Sequence, residues 1–201
     1  MAALFGAATS ILLSGCPSPC VEAVYSFKAT AEFVPGQDTI QVGDTLFLVS
    51  VIPKRLYDSQ SGKQVDYADA PSISNTLNIQ ELPPNTDIPN DAVNQFSYYN
   101  IKGSVYNETN IPSPGRVQQL RYQSTTVGYA LNVAIISKKK GIYFFNIGNG
   151  LSFGRSKQCE KANFETSISN SNQHLYYYEQ ARPGYTISDY ERQHGYCFTV
   201  Y

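Results

Sequence analysis

Alternating side-chain polarity over residues 24–34 constrains the fold of this chain more than any other feature. Apolar side chains occupy every second position from Tyr25 to Phe33, and polar side chains occupy the positions between them. Successive side chains of a β-strand point to opposite faces of the sheet, so this pattern predicts a strand with one buried face and one hydrated face.

Turn signals divide the next part of the chain into two further strands. Pro35-Gly36 precedes a predicted strand over residues 38–42, and Gly43-Asp44 precedes a nearly unbroken apolar run over residues 45–52. Such a run is typical of a strand that is buried on both faces. The step Val42-Gly43-Asp44-Thr45-Leu46 resembles the opening of immunoglobulin-like sandwich domains. The resemblance covers residues 22–52, lacks the Cys and Trp signature of antibody-type domains, and implies a fold without a function.

The remaining sequence predicts a long loop and then more strands. Asp, Asn, Ser and Pro dominate residues 53–94, which we interpret as a long loop insertion. Strand patterns return at the following segments: 96–106, 116–123, 129–137, 142–147 and 196–201. A short element of unassigned type is expected around residues 162–168. We expect Lys138-Lys139-Lys140-Gly141 to close a hairpin. Residues 174–179 fit either a strand or one helical turn.

A capping-box spacing marks one short helix near the C-terminus. Ser188 precedes Glu191 by three residues, and Gly195 stands where the helix would end. Charged residues are 15% of the chain, whereas Tyr, Asn, Ser and Thr are abundant. We therefore predict an all-β protein: a single immunoglobulin-like β-sandwich domain over residues 23–201, with a long loop insertion and one short C-terminal helix.

Charge and motifs argue against several function classes. The formal net charge is −1 with scattered Lys and Arg, so nucleic acid is not an expected partner. Gly150-Leu151-Ser152-Phe153-Gly154 has the letters of a nucleophile elbow, but no long amphipathic helix follows it. We interpret it as a turn beside a strand. No pair of acids stands out as catalytic, so we expect no enzyme activity and no cofactor.

The cysteines favour a disulfide over a metal site. A closed zinc site needs about four ligands, and only His174 and His194 could join Cys159 and Cys197. We therefore expect no metal and predict a disulfide between Cys159 and Cys197. Cys20 is then free, although it could pair with either of them.

The N-terminal segment indicates processing and export. Residues 2–12 are uncharged and mostly apolar, and Leu13-Ser14-Gly15-Cys16 follows them. This arrangement resembles the signal peptide and lipobox of bacterial lipoproteins. The resemblance implies a signal peptide over residues 1–15, a diacylglyceryl group on Cys16, and a lipidated tether over residues 16–22. The alternative is a buried N-terminal strand or helix with an ordinary cysteine.

Further resemblances suggest a compartment. Asp38-Thr39-Ile40 and Asp44-Thr45-Leu46 resemble the O-glycosylation acceptor of exported Bacteroidota proteins, and the whole chain resembles small lipoproteins of that phylum. Residues 17–22 lack the acidic cluster that resembles a surface-export signal. The expected location is therefore the cell envelope, as an outer-membrane lipoprotein that faces the periplasm rather than the cell surface.

Tyrosines are the other functional signal. The chain has 16 tyrosines and no Trp. Tyr98, Tyr99, Tyr176, Tyr177 and Tyr178 form two clusters that could make a ligand surface, although core packing or surface cover explains them as well. Our leading hypothesis is a noncatalytic, membrane-anchored lipoprotein that binds or scaffolds another envelope protein. The alternative is a glycan-binding accessory lipoprotein that uses exposed tyrosines.

Overall fold

A computed structural model of the protein describes residues 24–70, 72–84, 86, 88–106, 115–153 and 160–201. Strands dominate these residues, with one 3-10 helix at Val93–Gln95 and two short α-helices, α1 (Tyr176–Ala181) and α2 (Asp189–His194). The strands are β1 (Val24–Val34), β2 (Thr39–Ile40), β3 (Thr45–Pro53), β4 (Arg55–Asp58), β5 (Lys63–Asp66), β6 (Ile73–Glu81), β7 (Asn90–Asp91), β8 (Phe96–Lys102), β9 (Ser104–Tyr106), β10 (Val117–Arg121), β11 (Gln123–Ser124), β12 (Gly128–Ser137), β13 (Gly141–Ile147), β14 (Gly150–Phe153), β15 (Lys161–Ile168) and β16 (Gly195–Val200).

The fold is a β-sandwich made of two layers. In the first layer, β12 pairs with β8, β11 and β3, and the order continues through β1 to β15 and β14. In the second layer, β6 pairs with β10 on one side and with β13 on the other, and β16 and β2 follow β13. Strand β14 pairs with both β15 and β6, so it connects the two layers. The all-β sandwich predicted from the sequence is confirmed.

Aromatic rings from both layers fill the space between them. The ring of Phe33 in β1 lies 4.7 Å from that of Tyr196 and 5.7 Å from that of Phe145, both in the second layer. The ring of Phe96 in β8 packs edge-on against Phe145 at 5.1 Å. Because large aromatic surfaces leave water here, the hydrophobic effect holds the two layers together.

Strand β1 has the predicted bounds and the predicted faces. Phe27, Ala29, Ala31 and Phe33 are buried in the core, whereas Lys28, Thr30 and Glu32 on the other face are exposed. It pairs in parallel with β15 and antiparallel with β3. The alternation in the sequence therefore reports the environment of this strand directly.

The segment interpreted as a long loop instead contains four strands. Strand β6 lies inside the second layer, and β4 and β5 form a separate hairpin. In β6, the buried positions are Ile73, Asn75, Leu77 and Ile79. The Asn75 Nδ2 atom donates to the Thr166 hydroxyl at 2.9 Å and to the Gly148 carbonyl at 3.0 Å. These hydrogen bonds pair the amide nitrogen of Asn75, whereas its Oδ1 atom is buried without a hydrogen-bond partner. Strand propensities disfavour Asn, and its partners are distant in sequence, so the local pattern does not predict this strand.

The lysine-rich turn does not close a hairpin. Strand β12 lies in the first layer and β13 in the second, so residues 138–140 cross from one layer to the other. The Lys138 N–H donates to the Gln95 carbonyl at 2.9 Å, and the Lys139 Nζ atom lies 2.9 Å from a Glu81 carboxylate oxygen. The lysines thus stabilise an inter-layer connection.

Two short helices cover the outer face of the second layer, where the sequence predicted one. Helix α2 is the predicted helix, and both hydrogen bonds of its Ser188–Glu191 capping box are present. Helix α1 lies at the segment whose type the sequence left open. Leu82, Phe144, Tyr178, Ala181, Ile187 and Cys197 form a second apolar cluster under the helices.

Candidate functional site

The outer face of the first layer carries apolar side chains, most of which are exposed or half-buried. Four residues lie side by side across β8, β12, β3 and β1: Tyr99 pairs with Ala134, Ala134 with Phe47, and Phe47 with Val34. Tyr99 is 59% exposed and Val34 is 40% exposed, whereas Phe47 is half-buried and Ala134 is buried. Val49 and Val51 extend the apolar surface along β3, and Val51 is 57% exposed. We call this surface, formed by Val34, Phe47, Val49, Val51 and Tyr99, the open face.

Polar and charged residues border the open face. The neighbouring cross-strand row runs from Lys102 through Asn132 and Val49 to Glu32. Lys102 and Glu32 are exposed and carry opposite charges at the two ends of this row. The surface therefore has an uncharged centre and a rim of mixed charge, as protein interfaces do.

Strand β3 shows why the sequence does not predict the open face. Its nearly unbroken run of apolar residues is typical of a strand buried on both faces. In the structure, Leu46, Leu48 and Ile52 point into the core, while Phe47, Val49 and Val51 on the opposite face remain partly or fully exposed. An apolar run without alternation does not indicate whether the outer face of the strand is covered by other residues or exposed.

The five predicted ligand tyrosines do not form one surface. Tyr98 and Tyr99 are neighbours in β8 and point to opposite faces. Tyr98 packs against the core, and its hydroxyl donates to the Val93 carbonyl at 2.9 Å. Burial raises the pKa of the Tyr98 phenol well above its usual range. Tyr99 is the more exposed of the two residues, and it belongs to the open face.

The other three tyrosines lie in α1, on the second layer. The rings of Tyr176 and Tyr177 are 4.3 Å apart, and the Tyr176 hydroxyl donates to an Asp38 carboxylate oxygen at 2.8 Å. That hydrogen bond helps to lower the pKa of the Asp38 carboxyl. Tyr178 is buried, with its ring 4.5 Å from that of Phe144. The helix tyrosines therefore mainly anchor α1 to the sandwich.

The predicted cysteine sites fall largely outside the described residues. Cys16, Cys20 and Cys159 are not among them, and neither are the predicted signal peptide and tether. Cys197 is buried in β16 and carries a free thiol. Its position gives no support to the predicted disulfide with Cys159. Burial raises the pKa of the Cys197 thiol, so the group stays protonated near neutral pH.

Ser152 and the histidines do not form a hydrolase triad. Ser152 is buried in β14, and its hydroxyl has no hydrogen-bond partner. The His174 Nε2 atom lies 3.3 Å from the Gly36 carbonyl, and the His194 ring stacks on Tyr190 at 4.1 Å. Among the described residues, no group of three or more His, Cys, Asp or Glu side chains could hold a metal ion. No helix in the same residues is long and apolar enough to span a bilayer.

Comparisons with known proteins return only distant structural likenesses. The sequence matches no protein-family model and no curated protein. The reeler domain of human F-spondin is 8% identical with a TM-score of 0.36, over 80% of this chain and 93% of that domain. A cohesin module of a family 33 glycoside hydrolase from Clostridium perfringens is 13% identical with a TM-score of 0.34, over 71% and 99%. A non-cellulosomal cohesin from Archaeoglobus fulgidus is 10% identical with a TM-score of 0.32, over 76% and 97%.

Proposed function

We propose that this protein is a noncatalytic, lipid-anchored lipoprotein of the bacterial cell envelope that binds another envelope protein. The observation that carries this proposal is the open face. The molecule covers the outer face of its second layer with its own helices, whereas Val34, Val51 and Tyr99 on the outer face of the first layer stay exposed. Exposed contiguous apolar surface on a folded domain costs solubility and is typical of interaction sites.

The chemistry of the open face favours a folded protein as the partner. The centre is uncharged, so it offers no attraction to nucleic acid phosphates. Lys102 and Glu32 give the rim both signs of charge, whereas a surface that binds anionic lipid headgroups is rich in Lys and Arg. A matching partner presents an apolar patch with an acid opposite Lys102 and a base opposite Glu32, which fixes its orientation.

The absence of catalysis is part of the same proposal. In the described residues, the Ser152 hydroxyl has no hydrogen-bond partner and therefore no hydrogen bond to either histidine, and the open face contains no acid, base or thiol at its centre. The lipid anchor and the periplasm-facing outer-membrane location rest on Leu13-Ser14-Gly15-Cys16 and on the composition of residues 17–22. Two acyl chains of a diacylglyceryl group suffice for stable membrane attachment.

Site-specific photo-cross-linking in the producing bacterium tests the open face. A photoreactive phenylalanine analogue replaces Tyr99, and the control replaces Tyr57, which is 62% exposed on β4. We expect a discrete adduct with another envelope protein from position 99 and none from position 57. An adduct of equal yield at position 57, an adduct with lipid, or no adduct from position 99 contradicts the proposal.

A second substitution separates recognition from proximity. Val51→Lys introduces a charge into the open face, and Val42→Lys introduces the same charge at a position that is 44% exposed in a turn outside it. Surface substitutions of this kind change stability by about 0.5 kcal/mol or less. We expect Val51→Lys to abolish the adduct from position 99 while Val42→Lys leaves it intact. Equal adduct yields in both variants overturn the proposed role of the open face.

A further inference from the structure

A cleft on the second layer is built from groups that suit a sugar. It has a volume of about 440 Å³ and lies between the outer face of β6 and β13 and the C-terminal helices. This volume is within the range of about 300–1,000 Å³ that is common for small-molecule sites. Its lining includes Asn78, Gln80, Asn146, Arg182, Tyr185 and Tyr190. The cleft is separate from the open face, which belongs to the first layer.

Two partly exposed tyrosine rings stand at the cleft. Tyr185 is 38% exposed and Tyr190 is 47% exposed. One face of the Tyr185 ring is covered by Arg182 and one face of the Tyr190 ring by His194. The opposite face of each flat apolar ring can pack on the C–H face of a sugar. Neither residue was singled out as a ligand tyrosine from the sequence, because the clusters at residues 98–99 and 176–178 are denser.

Hydrogen bonds hold the cleft in one arrangement before any ligand arrives. Glu191 accepts hydrogen bonds from the hydroxyls of Tyr178 at 3.0 Å, Tyr185 at 3.0 Å and Ser188 at 2.7 Å. The guanidinium of Arg182 donates to the Tyr178 hydroxyl at 2.6 Å and lies 4.0 Å from the centre of the Tyr185 ring. Side chains that are already fixed lose little entropy on binding.

Burial opposes ionisation of Glu191, but the hydrogen bonds from Ser188, Tyr178 and Tyr185 outweigh it and lower the pKa of this carboxyl. Glu191 is therefore ionised at neutral pH, and its negative charge is distributed over these donors. The carboxylate holds the tyrosine hydroxyls in place. Because it is ionised at neutral pH, it does not serve as a general acid.

Amide side chains supply the polar part of the cleft lining. Asn78 and Gln80 in β6 and Asn146 in β13 line it beside the tyrosines. A side-chain amide both donates and accepts hydrogen bonds, as a sugar hydroxyl does, so amides and sugar hydroxyls match each other.

The charges around the cleft are compensated within the protein. The Arg116 Nε atom forms an ion pair with an Asp91 carboxylate oxygen at 2.7 Å. Arg182 and Glu191 are joined through the Tyr178 hydroxyl. The formal charges of these four residues cancel, so they give the cleft no net charge of either sign. We propose that this cleft binds a neutral sugar, with its ring against Tyr185 and Tyr190 and its hydroxyls on the amide side chains that line the cleft.

NMR titration of the purified protein with single sugars tests this proposal independently of the open face. The probes are the methyl glycosides of glucose, galactose, mannose and N-acetylglucosamine, with methyl glucuronide as the acidic counterpart. We expect at least one neutral glycoside to shift the ring signals of Tyr185 and Tyr190 while the ring of Tyr57 stays unchanged. No shift at either ring with any neutral glycoside overturns the proposal, and so does a larger response to the glucuronide.

Two variants then assign the binding energy. Tyr190→Ala removes one stacking ring and is expected to weaken binding about tenfold, which corresponds to about 1.4 kcal/mol. Asn78→Ala removes an amide from the cleft lining without touching the Glu191 network, and it should weaken binding by a similar factor. Tyr57→Ala is the matched control. Unchanged binding in both cleft variants contradicts the assignment, and a folded spectrum for each variant excludes unfolding as the cause.

Discussion

At the scale of single residues, Tyr129 gives the sharpest test of the core. Its hydroxyl donates to the Tyr67 carbonyl at 2.6 Å and accepts from the Ala70 N–H at 2.9 Å, and all three residues are buried. Tyr129→Phe leaves these two backbone groups without this partner, so we expect a loss of about 2 kcal/mol of unfolding free energy. Urea denaturation measures it, with Tyr57→Phe as an exposed control. A loss equal to that of the control contradicts this role.

Cys197 gives a second test at this scale, because a free thiol at this position is incompatible with the predicted disulfide. The thiol is buried, and burial raises its pKa. We expect iodoacetamide to modify Cys197 slowly in the native protein and rapidly in denaturant without any reductant. Peptide mass mapping reads the modification at each cysteine separately. If Cys197 is modified in denaturant only after reduction, it is in a disulfide, and the cysteine that also needs reduction, Cys159 or Cys20, is its partner.

At the scale of elements, Asp58 ties the hairpin of β4 and β5 to β1. Its carboxylate accepts from the backbone N–H groups of Ser26 at 2.9 Å and Ser61 at 3.0 Å. Hydrogen bonds from the Ser61 hydroxyl and from Ser26 lower the pKa of Asp58 to about 2. Because the pKa is lower in the folded state, the stabilisation exists above the unfolded pKa of about 3.9 and is lost as the pH falls through about 2.

Asp58→Asn tests this assignment through the pH dependence of stability. Asparagine does not titrate, so we expect the wild-type protein to lose stability relative to the variant as the pH falls from about 4 to about 2. Urea midpoints across this window measure the difference, and Asp69→Asn, at an exposed aspartate, is the control. Parallel curves for the wild-type protein and Asp58→Asn would show that the hairpin does not depend on the charge.

Elements were predictable from the sequence where one face of a strand is apolar and the other polar. Strand β1 meets this condition and was predicted with its bounds. Strand β6 does not meet this condition, because the polar Asn75 interrupts its buried face. The hydrogen-bond partners of Asn75, Thr166 and Gly148, lie far from it in the sequence. Tertiary partners of this kind override propensity, and the local sequence contains no trace of them.

At the scale of the whole molecule, the pairing between strands determines which residues share a surface, and the sequence did not predict that pairing. Alternation tells which side chains share one face of one strand. It does not tell that Tyr99, Ala134, Phe47 and Val34 lie in one row, because that depends on the pairing of β8, β12, β3 and β1. The class of fold followed from composition and alternation, whereas the open face and the cleft required the register between strands.

Attachment to a membrane is the last prediction, and it concerns the molecule as a unit in the cell. If Cys16 carries the lipid, seven residues lie between it and Val24, where β1 begins. The eight Cα-to-Cα steps from Cys16 to Val24 span at most about 29 Å when fully extended, so the sandwich would remain close to the bilayer. We expect Cys16→Ala to move the protein from the membrane fraction to the soluble fraction and to abolish labelling by an alkyne analogue of palmitate. Cys20→Ala, a matched cysteine four positions away, should change neither.

Labelling and membrane attachment that persist in Cys16→Ala would favour an ordinary cysteine at this position. They would also remove the basis for placing the protein at the outer membrane. The tests of the open face and the cleft do not depend on this result.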